Sequence, residues 1–206
     1  MGRIEFFYDL SSPWTRIAFK NIREIAAETG ATIIWRPFLV GGVFNAVNDS
    51  VYAGRADPQS AKNRHVFKWL KEWAALADVP MNFPSPHHPL KSVAAMRFCC
   101  ALEQDQPTLL AFTERAFDAY FADQRNLDDP AVLVEVANEA GLDGNPLAKA
   151  ATGDKVKQRL RANTDEAIAR GAFGSPTIFV DRDFIYFGND QLPLVKQRIR
   201  LRQEAQ

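Results

Sequence analysis

Apolar residues fall into short unbroken runs at the two ends of the chain and into a helical rhythm between them. Phe6-Phe7-Tyr8 reads as a central strand, followed by the polar turn Asp9-Leu10-Ser11-Ser12. Pro13 then opens an amphipathic helix carrying Ile17, Phe19, Ile22 and Ile25, and Gly30 supplies its stop. Thr32-Ile33-Ile34-Trp35 is β-branched and apolar, a second strand. The pattern continues through Arg36-Pro37-Phe38-Leu39 and fails at Gly41-Gly42, so residues 43–56 are expected to be loop or irregular chain. Asp57-Pro58 has the form of a cap and first helical residue. Val66, Trp69, Leu70, Trp73 and Ala77 then recur at helical spacing as far as Pro80. The proline-rich 83–89 stretch predicts an extended connection.

Helical signals follow at 90–103 and 108–123, after Asp129-Pro130, after Asn145-Pro146, and at 154–170, closed by Gly171. Strand signals return only at Thr177-Ile178-Phe179-Val180 and Phe184-Ile185-Tyr186-Phe187, an antiparallel hairpin turning at 181–183. Gly188-Asn189-Asp190 then caps a last helix over 191–201. The order is β-α-β, a helical block of more than a hundred residues, then β-β-α. This predicts an α/β fold: a four-stranded sheet with flanking helices from residues 1–42 and 171–206, interrupted by an all-helical insertion at 43–170.

Composition narrows the function classes. Lys+Arg and Asp+Glu stand at 25 each, so no global field favours nucleic acid or an anionic membrane. No apolar run approaches the roughly 18 residues of a membrane span, and the start lacks a signal-peptide pattern. A cytoplasmic enzyme or binding protein is the expectation. Cys99 and Cys100 are adjacent in a helical pattern and read as small buried hydrophobes rather than a disulfide or metal pair. His65, His87 and His88 lack metal-ligand spacing, so no metal is expected.

Chemistry concentrates at two Ser-Pro pairs. Ser12-Pro13 sits between a strand and a helix, where the serine is an ordinary N-cap or, with free N–H groups around it, an anion site. Ser175-Pro176 precedes a strong strand, a poor place for proline in a ladder and a good one for a tight cis turn.

With both pairs in place, the sequence resembles the thioredoxin superfamily. Within it the chain is similar to the 2-hydroxychromene-2-carboxylate isomerases and kappa-class glutathione transferases. The motifs are F-Y-D-x-x-S-P over Phe7 to Pro13, R-P-F-L-x-G-G-V-F over Arg36 to Phe44, G-x-F-G-x-P-T over Gly171 to Thr177, and F-G-x-D over Phe187 to Asp190. The resemblance implies a thioredoxin-like fold, bound glutathione, and an assembly into homodimers. Ser12 and Thr15 stand where redox members carry the two cysteines of C-x-x-C, so disulfide exchange by the protein's own side chains is excluded there. The resemblance implies instead that Ser12, with Pro13 and Trp14 at the helix start, faces the glutathione sulfur. It further implies that Ser175, before Pro176, pairs with the cysteinyl unit, and that Asn189 and Asp190 hold the γ-glutamyl end. Asn48 matches a peptide-contacting asparagine, and Lys62 and Arg64 are candidate partners for a carboxylate. The chain departs from the family pattern at Trp69, where isomerase-like members carry an acidic residue, in its asparagine loop, and at Ser175, a position more often apolar.

Two catalytic readings and one non-catalytic reading follow from the resemblance. The first is a glutathione-dependent isomerase of 2-hydroxychromene-2-carboxylate, an aromatic acid, in a pocket walled by Phe38, Phe44, Trp69 or Trp73 near a cation such as Lys62. The second is a kappa-like transferase or peroxidase, and the third a non-enzymatic glutathione-binding protein.

Overall fold

The computed structural model describes residues 2–55, 57 and 60–204. Its centre is a four-stranded sheet ordered β2-β1-β3-β4. Strand β1 (Arg3–Tyr8) pairs in parallel with β2 (Thr32–Pro37), Phe6 opposite Trp35, and antiparallel with β3 (Thr177–Val180), Phe6 opposite Ile178. Strand β4 (Phe184–Phe187) completes the hairpin with β3 at the sheet edge. The expected mixed sheet from the two ends of the chain is the observed one.

Strand β1 carries apolar residues on both faces, Ile4, Phe6 and Tyr8 on one and Phe7 on the other, because both faces of the sheet are covered and its two-residue period sends alternate side chains to different cores. Ile4, Phe6 and Tyr8 join the larger cluster, where Phe19 of helix α1 (Pro13–Thr29) lies 4.7 Å from Trp35 and 5.1 Å from Phe117. Phe7 points the other way, edge-on to Phe38 and Phe179 at 5.9 and 5.6 Å. Helix α1 ends as its glycine predicts: Gly30 adopts φ 65° and returns its N–H to the Ala26 carbonyl.

Between β2 and β3 every described regular element is a helix. Residues 43–55 correct the expectation of irregular chain, because α2 (Val40–Val47) and α3 (Ser50–Arg55) form there; Ala56, the last residue of that expectation, lies outside the described residues. Two glycines depress helix propensity by about 1 kcal/mol each, which is why the local pattern fails. Tertiary contacts offset this: the Leu39 N–H donates to Thr164 Oγ1, the Val40 N–H donates to the Asp9 carboxylate, and Val40 and Val43 are buried. Helix α4 (Ala61–Leu76) is capped by Ser60, whose oxygen accepts the Asn63 N–H at 3.2 Å, rather than by Asp57; Pro58 lies outside the described residues. The remaining helices are α5 (Val93–Leu102), α6 (Gln106–Phe121), α7 (Pro130–Glu139), α8 (Gly144–Ala151), α9 (Asp154–Ala169) and α10 (Leu192–Glu204). Helix α5 starts later than its apolar pattern because Ser92 precedes it at φ 59°, and α8 is capped by Asp143 rather than at Asn145. Among the described residues no helix is long and apolar enough to cross a membrane.

Candidate active site

The loop from β1 to α1 is held from beneath by one carboxylate. Asp9 is fully buried, and its oxygens accept the Ser11 N–H at 2.9 Å, the Val40 N–H at 2.9 Å and the Ser92 hydroxyl at 3.0 Å. Burial raises the Asp9 carboxyl above its ordinary value, and these hydrogen bonds oppose the rise. The Asp9 carbonyl accepts the Ser12 N–H at 3.2 Å, closing the turn. Ser12 is then the N-cap of α1, with Pro13 at the first helical position, as the sequence predicts. The Ser12 hydroxyl accepts the Thr15 N–H at 3.2 Å and donates to the Ser175 carbonyl at 3.0 Å. The expected cluster of free N–H groups is therefore thinner than the sequence implies. Those of Ser11, Ser12 and Thr15 are already partnered and Pro13 has none, which leaves Trp14 without an internal partner among the described residues.

The second Ser-Pro pair meets the first. The Ser175–Pro176 bond is cis, as are Phe83–Pro84 and His88–Pro89. Ser175 is buried; its hydroxyl oxygen accepts the Asp9 N–H at 3.0 Å and shares a 2.8 Å hydrogen bond with the Thr15 hydroxyl. Thus the side chains of Ser12 and Thr15 both contact Ser175, one through its carbonyl and the other through its hydroxyl. Gly174 is packed against the Phe187 ring so closely that a Cβ would stand 2.4 Å from it. The Gly188 N–H donates to the Pro176 carbonyl at 3.2 Å, which ties the end of β4 to this loop.

Ser12 and Ser175 open into a cavity of about 270 Å³. Pro13, Trp14, Asn48, Phe44 and Phe173 also line it, and Val66, Phe67 and Leu70 of α4 form its far wall. Asn48, the C-cap of α2, donates from its amide to the Phe173 carbonyl at 2.9 Å and so bridges two sides. Of the wall residues expected from sequence, Phe44 is in place. Phe38 is buried behind the sheet with Phe7, and Trp69 is exposed on α4 and stacked on His65. Trp73 packs against Ile17 and Leu70 away from the lining. Lys62 and Arg64 are exposed and outside the lining, Lys62 standing one turn before Val66. Asn189 is buried, its side-chain oxygen accepting from Asn21 of α1 at 2.9 Å, whereas Asp190 is exposed just beyond Phe187.

A second cavity, of about 280 Å³, shares Ser11, Val40, Phe44 and His88 with the first. Sequence reading missed the group that joins the two. Asp9 appeared as part of a polar turn and as the acidic residue of the F-Y-D-x-x-S-P motif, with no role assigned, and its partners Val40 and Ser92 are 31 and 83 residues away. The one local signal was the Asp-x-Ser spacing, which places a carboxylate to receive the N–H two residues on. The cysteines behave as expected: both are buried, and burial lifts the Cys99 thiol to about 12 and the Cys100 thiol higher still.

This architecture, a thioredoxin sheet with a serine at the start of its first helix and a cis-proline opposite, defines the class. Residues 3–200 match the DSBA-like thioredoxin domain family, and the chain belongs to it. It is 28% identical, over 94% of its length and 95% of the relative's, to a 2-hydroxychromene-2-carboxylate isomerase of Sphingobium xenophagum. It is 26% identical to glutathione S-transferase kappa 1 of Rattus norvegicus, over 93% of this chain and 88% of that one. A solved structure of a 2-hydroxychromene-2-carboxylate isomerase superposes with a TM-score of 0.75 at 23% identity, covering 98% of both chains.

Proposed function

We propose that the protein is a glutathione-dependent isomerase that interconverts 2-hydroxychromene-2-carboxylate and trans-o-hydroxybenzylidenepyruvate, a step of aromatic-hydrocarbon breakdown. The observation that carries this reading is the Ser12 hydroxyl at the start of α1, facing Ser175 at the head of a largely apolar cavity. The chain's own thiols are buried and protonated, so a nucleophilic thiolate has to arrive with a ligand. The isomerase relative, aligned over 94% of this chain, supports the isomerisation itself.

Binding would exchange one internal hydrogen bond for two to the ligand. The Ser12 hydroxyl has a single proton, now given to the Ser175 carbonyl. Turned toward a bound sulfur it leaves that carbonyl free to accept the cysteinyl N–H, while Asp190 receives the γ-glutamyl ammonium beyond Phe187. Asn48 at the cavity wall and Lys62, one turn before Val66 of that wall, are the proposed partners for the peptide and its glycyl carboxylate, and Asn189 supports the loop from within. The helix field contributes about 0.3–1 kcal/mol to the thiolate and a hydrogen bond to a charged group about 1.5–3 kcal/mol. At 1.36 kcal/mol per pKa unit the sum lowers a thiol of about 8.5 by roughly one to three units.

From the chromene side the ring opens first: the C2–O ring bond breaks, the phenolic oxygen takes the C2 hydroxyl proton and the keto group forms, with the reverse closing the ring on return. The thiolate then adds to the electrophilic carbon conjugated with that keto group. A C–S bond forms and the alkene pair moves onto the carbonyl oxygen as an enolate. Rotation about the resulting single bond follows; the enolate pair returns, the alkene re-forms and the C–S bond breaks. Glutathione is regenerated, so none is consumed.

The kappa transferase relative supports a second reading, in which the same thiolate stays on an electrophile or reduces a peroxide. An absorbance assay with 2-hydroxychromene-2-carboxylate, with and without glutathione, tests the first. Glutathione-dependent conversion is expected, with Ser12→Ala slower by about twentyfold at neutral pH, the fall in thiolate fraction when a thiol rises by about two pKa units to about 8.5. Tight glutathione binding without conversion would favour the transferase, and no binding would refute both.

A further inference from the structure

We propose that the second cavity holds the acidic substrate and that Lys91 is the residue that selects its carboxylate; this rests on the reading of Ser12 as the thiolate site. The two cavities share Ser11, Val40, Phe44 and His88, so an electrophile in one lies next to a thiolate in the other. Their contents are chemically different. The first has Ser12, Ser175 and Asn48 among mainly apolar and aromatic side chains, and among the described residues its lining includes no lysine, arginine or carboxylate. The second places Phe44, Tyr52 and Leu90 around one lysine, surroundings suited to a flat, unsaturated acid.

Lys91 is held for this task by its main chain. Its N–H donates to the Asp128 carboxylate at 3.2 Å, and the next residue, Ser92, is buried with its hydroxyl on Asp9. Its ammonium has no carboxylate within ion-pair distance among the described residues, whereas Arg16, Arg23, Arg36, Arg115 and Arg125 all do. A cation with no internal counter-ion, at a cavity with aromatic walls, is matched by an anionic ligand. Asp9 thereby sets the register of the reaction, because one carboxylate holds both the turn that carries Ser12 and the residue after Lys91.

The test compares trans-cinnamate with its amide by calorimetry on wild type, Lys91→Met and Lys91→Arg, each with and without glutathione. Wild type is expected to bind the carboxylate more tightly than the amide. Lys91→Met should weaken cinnamate about tenfold, the value of one charge-assisted contact, and leave the amide and glutathione unchanged. Lys91→Arg should restore most of the cinnamate affinity. In turnover, Lys91→Met should raise KM for the acid with little change in kcat. Equal cinnamate binding by wild type and Lys91→Met, no preference over the amide, or no cinnamate binding would overturn the assignment. Lys91-dependent cinnamate binding without glutathione-dependent turnover would leave the carboxylate site standing and remove the isomerase reading instead.

Discussion

At the scale of single residues, Asp9 has the largest consequences for its size. Three donors from three separate segments converge on it, so Asp9→Ala would strand buried N–H and O–H groups at about 1–3 kcal/mol each. Its titration gives a sharper test. Burial raises its folded pKa above the unfolded value, so the folded chain keeps this proton to higher pH. The associated stability is complete below the unfolded pKa, about 3.9, and is lost as pH rises through the folded one. Asp9→Asn cannot titrate. The melting-temperature difference between variant and wild type should therefore move in the variant's favour as pH is raised from about 3.5 to 7; a flat difference would contradict the assignment. At this scale the sequence showed Ser12, Pro13 and Ser175, because capping and X–Pro chemistry are local. It did not show that the Ser12 hydroxyl is already engaged, since its partner lies 163 residues away.

At the scale of elements, most helices were legible from spacing, and the misreadings occurred where a helix depends on neighbours. Helix α2 has two glycines and no capping side chain, and it is formed by Asp9, Thr164 and its buried valines. Its glycines therefore differ from the one that starts α8. A Cβ on Gly144 would lie 2.4 Å from the Val134 carbonyl oxygen of α7, whereas one on Gly41 would meet nothing within 4 Å. Gly144→Ala is expected to cost about 1–3 kcal/mol by forcing α7 and α8 apart. Gly41→Ala should gain about 0.5–1 kcal/mol from helix propensity. Thermal unfolding of both variants checks the contrast, and a stabilised Gly144→Ala would refute the packing argument.

At the scale of the molecule, the sheet is joined to the helices behind it by charge as well as by apolar contact. Arg36 of β2 reaches Glu5 of β1 at 3.3 Å, Glu103 after α5 at 3.2 Å and Glu166 of α9, and its guanidinium lies 4.7 Å from the Phe7 ring centroid. Arg170 and Arg159 complete the pairing of Glu5 and Glu103. Arg36→Met would leave two nearly buried carboxylates short of a partner, and a loss of about 3–5 kcal/mol is expected in urea unfolding. Glu166→Gln should cost no more than about 1 kcal/mol, because its side chain is 40% exposed and water can replace the arginine. Equal losses in the two variants would show that burial does not set the balance.

The sequence by itself determined the four strands and their grouping, the order of the helices other than α2 and α3, the capped start of α1 and the absence of cysteine at positions 12 and 15. Each of these depends on residues within a few positions of one another, where periodicity, capping and proline geometry act. Only the tertiary structure decided which aromatic residues line a cavity, that Phe38 and Trp69 do not, that a second cavity adjoins the first, and that one buried carboxylate holds both. Those outcomes depend on side chains brought together across 31 to 163 residues, and no local rule encodes where a helix face will come to rest.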